Sequence, residues 1–214
     1  MARQLRGAAG LFKVGSQLFT AEGPSVVKAL ARLGFGIFLD LKFHDIPNTV
    51  AGAVTSAATL PNVRMLTLHT LGGLAMMQAA HDAAAQVKHR PMLLGVTILT
   101  SMDAAALRQA GISGSPASRA LALARLAKQT GLDGVVASAH EAQAIRKACG
   151  PKFLIVVPGV RPQTASLNDQ ARVATPAAAI RAGADYLVVG RPITEAASPC
   201  TAAIEIAREI ASAG

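Results

Sequence analysis

The chain has 214 residues, of which 51% are apolar, 15% charged and 3% aromatic, and 21 Lys and Arg stand against 12 Asp and Glu for a formal charge of +9. Such content excludes intrinsic disorder, and the length suffices to bury a full core, roughly 70% of the unfolded surface. A membrane span is disfavoured, since the uncharged apolar stretch at residues 65–80 is broken by His69, Gly72 and Gly73 and falls short of the roughly 18 apolar residues required.

From the N-terminus, residues 1–10 lack the apolar run of a signal peptide and read as the tail of a helix. Short apolar segments then alternate with Ala-rich ones. Strands are predicted at residues 11–19, 36–43, 64–70, 92–99, 134–138, 153–160 and 186–193. Helices are predicted between and after them, at residues 24–33, 47–60, 74–87, 116–130, 141–149, 176–182 and 201–211. Pro24, Pro47, Pro116 and Pro176 stand where helices begin, a position that needs no backbone N–H. Gly34, Gly131, Gly150 and Gly183 stand where they stop. The strands read as continuous apolar runs, as expected when both faces are covered.

Strand then helix, repeated about every 30 residues, is the pattern of βαβ units on a parallel sheet. No linker or composition shift divides residues 1–214, so one domain is expected. The repeat runs to the C-terminus without a pause, which favours a (β/α) barrel over an open sheet. No Gly-x-Gly-x-x-Gly follows a strand, which removes the best sign of a dinucleotide fold. The basic residues are scattered, the densest group being Arg146, Lys147 and Lys152, and there is no Trp and one Tyr. Nucleic-acid binding is therefore disfavoured and an anionic small molecule preferred. Cys149 and Cys200 match no metal spacing and read as reduced thiols in a cytoplasmic protein.

In such a barrel the reactive groups lie at the C-terminal ends of the strands. There the 36–43 strand carries Asp40 and Lys42 on one face, with Asp45 just beyond: three charges in six residues. Inward-facing charges cost several kcal/mol each unless paired. Asp45 read alone is also a first-turn carboxylate ahead of Pro47. Lys13 repeats the pattern one strand earlier, so Lys13, Asp40, Lys42 and Asp45 are expected to form an alternating charge array. Carboxylates around a lysine favour its charged form beside a developing negative charge. Pro158, Gly159 and Arg161 close one late strand, and Gly190 and Arg191 the next, combining backbone access with a guanidinium fork for phosphate. Thr100 also ends a strand, as does His69, which reads as a satisfied barrel residue.

In combination, Asp40-x-Lys42-x-x-Asp45 with Ile46, Pro47, Asn48 and Thr49, together with Lys13, Thr100, Pro158, Arg161, Gln163, Gly190 and Arg191, resembles the orotidine 5′-phosphate decarboxylase family. The likeness runs from about residue 11 to the C-terminus. The Asp-x-Lys-x-x-Asp element alone is shared with related sugar-phosphate decarboxylases. The resemblance implies that Lys42 protonates C6 of the pyrimidine as carbon dioxide leaves, and that Asp40 presses on the substrate carboxylate. It implies that Lys13 and Asp45 complete the array, and that Asp45 and Thr49 reach the site of a second subunit in a homodimer with shared active sites. Thr100 is implied at the pyrimidine. Pro158 is implied among the substrate-binding residues, and Arg161, Gln170, Gly190 and Arg191 at the phosphate. Gln170 would sit on a closing loop, residues 162–170. No metal, organic cofactor, nucleic acid or membrane is implied.

The front of the chain departs from the family, which opens with a strand whose terminal Asp serves the ribose. The fold expected here is a TIM-type (β/α)8 barrel with its first strand missing and seven strands present. A start codon set too far downstream, or a truncation, is the expected origin. The open edge invites aggregation or a rearranged dimer. Two alternatives remain: a sugar-phosphate decarboxylase or aldolase of the same suprafamily, and a non-catalytic phosphate-binding barrel.

Overall fold

The computed structural model describes residues 1–161 and 174–214. Seven strands form one parallel sheet in chain order: β1 (Leu11–Gly15), β2 (Gly36–Phe43), β3 (Val63–His69), β4 (Met92–Val96), β5 (Gly134–Val136), β6 (Leu154–Pro158) and β7 (Tyr186–Val188). Each pairs with its predecessor. The sheet curls into a nearly closed barrel, and strand alternation divides its side chains into two cores. Phe38, Met65, Leu94, Val96, Val136 and Val156 pack in the interior. Leu39, Leu66, Leu68, Leu93, Val135 and Ile155 point outward against the helices. Both faces are dry, which is why the strands read as unbroken apolar runs.

The helices are α1 (Ser16–Glu22), α2 (Pro24–Arg32), α3 (Pro47–Ala58), α4 (Gly73–Ala85), α5 (Ala104–Gln109), α6 (Pro116–Gln129), α7 (Ala139–Cys149), α8 (Pro176–Arg181), α9 (Arg191–Thr194) and α10 (Pro199–Ala211). Pro24, Pro47, Pro116 and Pro176 each occupy the first helical position as expected. Ser138 and Glu141 form a reciprocal capping box that starts α7.

The predicted 36–43 strand is β2 to the residue, whereas the predicted runs 11–19, 92–99, 134–138, 153–160 and 186–193 all extend past the observed strands, the first and the last by the most. The run 11–19 stops at Gly15 and turns into α1, because Leu18, which lent the run its apolar look, is 44% exposed on a helix. The run 186–193 stops at Val188. The Gly190 carbonyl there takes the N–H groups of Ile193 and Thr194, and Pro192 has no N–H to offer a neighbouring strand. Helix α5 was not foreseen; Asp103 starts it by accepting from the Ala106 N–H.

Arg146, a member of the densest basic group in the sequence, is a fastener. Its guanidinium donates to the carbonyls of Gly150, Phe153 and Gly183 and to the Asp185 carboxylate at 2.6 Å. It thereby ties α7 to the segments entering β6 and β7. Cys149, at the end of α7, is buried, and burial pushes its thiol up from its ordinary pKa, so it is an inert core group.

Among the described residues β1 and β7 do not pair with each other, and the sheet has a seam there. A cavity of about 340 Å³ lies along it, lined by Leu11, Phe38, Val156 and Val188 from the sheet and Ile206 and Ile210 from α10. No helix among the described residues is long and apolar enough to cross a membrane.

Candidate active site

The site begins with an irregularity in β2. Leu39 pairs with Leu66 and Phe43 with Leu68, so Asp40, Leu41 and Lys42 bulge opposite Thr67 alone. Extra residues in one strand bend it and re-aim its side chains. Here the bulge places Lys42 at φ +53°, in the left-handed region. For a residue with a Cβ, sparsely populated backbone of this kind costs on the order of 1–3 kcal/mol and persists only where neighbours enforce it.

Around the bulge the charges are matched. The Asp40 carboxylate, 8% exposed as a residue, takes the Lys42 ammonium on Oδ2 at 2.8 Å. The Lys13 ammonium approaches the same oxygen at 3.5 Å. The other carboxylate oxygen accepts the Thr67 hydroxyl at 3.0 Å. Both ammonium groups remain about one-third exposed, with side-chain values of 36% for Lys13 and 33% for Lys42. They are thus open to a ligand while anchored from below. Gly15 contributes by being small, because a Cβ there would lie 2.9 Å from the Lys13 ammonium.

Lys13, Gly15, Asp40 and Lys42 line a mouth cavity of about 790 Å³ that also takes in Thr100, Pro158, Arg161, Gly190 and Arg191. Eight of the eleven candidate residues therefore meet in one cavity. Arg161 is 6% exposed and is held by its N–H on the Ala174 carbonyl. Gln170, and the 162–170 segment expected to close over the substrate, lie outside the described residues.

Asp45 and Thr49 do not join the array. Both are exposed, at the turn after β2 and on the first turn of α3, and among the described residues Asp45 forms no ion pair with Lys13 or Lys42. Its Oδ1 accepts from the Ile46 N–H at 2.6 Å. Ile46, next to Asp45 in the chain, is 66% exposed, and Leu71 and Leu74, around the start of α4, are also uncovered.

Two features escaped the sequence reading. Thr67, fully buried, braces Asp40 and the bulge; its signal was slight, a single hydroxyl between Leu66 and Leu68 in an otherwise apolar stretch of β3. His69 was expected to be satisfied, yet among the described residues its buried Nδ1 has no hydrogen-bond partner, and its ring lies 5.3 Å from that of His44.

Burial chiefly, then the His44 and Lys42 charges, hold His69 below its ordinary 6.5, with Asp40 opposing in part. The sign follows from linkage. The unfolded chain gains a proton near 6.5 that the folded chain resists, so this contribution is complete above that pH and is lost as pH falls below it. His69→Gln should therefore shrink the drop in melting temperature between about pH 7.5 and about pH 5.5. Thermal melts across that range decide it; a drop as large as the parent's refutes the linkage.

The comparisons with known proteins agree with this geometry. Residues 1–206 match the model of the "Orotidine 5'-phosphate decarboxylase / HUMPS family". The orotidine 5′-phosphate decarboxylase of Nitrosococcus oceani is 53% identical over 212 residues, 99% of this chain and 91% of that protein. That of Halorhodospira halophila is 53% identical over 214 residues, 100% of this chain and 90% of its own length. Among solved structures, the orotidine 5′-phosphate decarboxylase of Lactobacillus acidophilus superposes with a TM-score of 0.82 at 40% identity, covering 92% of this chain and 85% of that one. With a barrel, a strand-end charge cluster and relatives this similar over its whole length, the chain belongs to the orotidine 5′-phosphate decarboxylase / HUMPS family.

Proposed function

We propose that the chain converts orotidine 5′-phosphate to uridine 5′-phosphate and carbon dioxide, in the de novo synthesis of pyrimidines. The observation that carries this reading is the pairing of Asp40 with two ammonium groups, at 2.8 and 3.5 Å, in a cavity that also holds Arg161, Gly190 and Arg191. The names of the relatives support the same substrate.

The chemistry asks for such a cluster. The bond from C6 to the carboxyl carbon breaks, its electron pair stays on C6, and carbon dioxide departs neutral. The pyrimidine offers no electron sink at that carbon, so a cation placed beforehand must meet the developing charge. Lys42 supplies it, and its Nζ then donates a proton to C6. An ammonium has three protons, so one can serve Asp40 while another faces the substrate. Asp40 presses its charge on the substrate carboxylate, and that repulsion vanishes as carbon dioxide leaves. Arg161, Gly190 and Arg191 grip the phosphate, with Gln170 joining them, so that binding energy remote from C6 is used where the bond breaks. Pro158 and Thr100 complete the substrate wall, Thr100 at the pyrimidine.

Asp45 and Thr49 serve the neighbouring subunit of a homodimer with shared active sites. Their distance from the local array and the uncovered Ile46, Leu71 and Leu74 support this arrangement. The enzyme works in the cytoplasm.

Purified protein should deplete orotidine 5′-phosphate, followed by its absorbance, and should elute from a sizing column as a dimer. A keto-sugar phosphate offered in parallel tests the rest of the suprafamily. Turnover of that compound with none of the nucleotide would overturn the assignment. Retained uridine 5′-phosphate binding without any turnover would make the protein a binding barrel.

A further inference from the structure

Thr67 is the one residue of β3 that faces the three bulged residues of β2. It is 0% exposed, and its hydroxyl is used in both senses. The oxygen accepts the Lys42 backbone N–H at 2.9 Å, and the proton goes to Asp40 Oδ1 at 3.0 Å. A hydroxyl has one proton to give, so these roles are mutually consistent. A bulge leaves backbone groups without their ladder partners, and a buried N–H needs an acceptor. Here the side chain of the facing strand replaces the missing carbonyl, and the same oxygen fixes the carboxylate that holds the lysine.

We infer that Thr67 is a positioning residue, its hydroxyl pinning the Lys42 backbone in the left-handed conformation while orienting the Asp40 carboxylate, so that the lysine ammonium is set before substrate arrives. The inference rests on the decarboxylase reading for its kinetic consequence, and on the hydrogen bonds alone for its structural one. Without the hydroxyl nothing else on β3 opposite the bulge offers Lys42 an acceptor from a side chain, because Leu66 and Leu68 flank it. The strand then relaxes toward ordinary backbone, which swings the Lys42 Cβ and carries the ammonium off Asp40. Thr67 touches two residues that line the substrate cavity but does not itself line it, so binding survives while the chemical step slows.

Thr67→Val keeps the shape and removes the hydroxyl, whereas Thr67→Ser keeps the hydroxyl. The expected result is a fall in kcat of about 10–100-fold for Thr67→Val, the scale of an ångström of misplacement, with KM within about threefold. Thr67→Ser should restore kcat to within about threefold of the parent. Independently of turnover, the Lys42 amide should exchange slowly with deuterium in the parent and in Thr67→Ser, and quickly in Thr67→Val.

An inactive parent with this exchange pattern intact would sink the decarboxylase reading and leave the positioning role standing. A protected Lys42 amide in Thr67→Val, or a kcat equal to the parent's, overturns the inference. Should Thr67→Val fail to fold, Thr67→Ala removes the same hydroxyl without new bulk. If neither folds while Thr67→Ser does, the hydroxyl serves stability rather than positioning, and the inference falls.

Discussion

Lys42→Ala lowers turnover of orotidine 5′-phosphate by on the order of 10⁴-fold, the upper end of what a placed proton donor supplies. Binding of uridine 5′-phosphate stays within about threefold, because in the proposed mechanism the ammonium acts on charge that appears only as the bond breaks. The scaffold survives the change. Alanine meets the same backbone demand at φ +53° that lysine does, and the N–H bonded to Thr67 belongs to the main chain. Lys13, at 3.5 Å, still neutralises Asp40. Absorbance kinetics beside calorimetric titration with uridine 5′-phosphate separate the two effects. Equal losses in both would remove the acid role from Lys42 and make it a binding group.

Asp40→Asn has a different signature. Neutralising this carboxylate withdraws the shared partner of two ammonium groups, at 2.8 and 3.5 Å, and ends its repulsion of the substrate carboxylate. The carboxylated substrate then binds more tightly to a site with surplus positive charge, while the chemical step loses its push. The expected outcome is a kcat lower by about 10²–10³-fold together with a lower KM, the pattern of removed ground-state destabilisation. Steady-state kinetics on orotidine 5′-phosphate read both constants. A KM that rises at unchanged kcat contradicts the role assigned to Asp40.

How far the sequence carried depended on whether a feature was local. The extent of β2 and the proline-led starts of α2, α3, α6 and α8 follow from short-range rules, and they stand as expected. The cluster of Lys13, Asp40 and Lys42 was legible because charged residues are conspicuous at the ends of apolar strands. The fourth member was not. Asp45 follows the bulge, and period-two counting cannot see extra residues in a strand that send it outward to an exposed turn. Thr67 was hidden for the same reason, since its importance comes from the strand it faces. Arg146 was hidden likewise, a member of the densest basic group that is occupied by carbonyls from chain segments up to 37 residues away.

The seam gives the ligand a mechanical part. Lys13 stands on β1, and Gly190 and Arg191 follow β7, so the two groups border one cavity while the hydrogen-bonded route between them runs through six strand pairings. On the proposed reading, a nucleotide whose phosphate is gripped after β7 and whose pyrimidine lies against the charge cluster would be the short route, a clasp across the gap in the wall. Were the seam to narrow when a nucleotide spans it, any contact that drew β1 toward β7 would tighten the nucleotide without touching it.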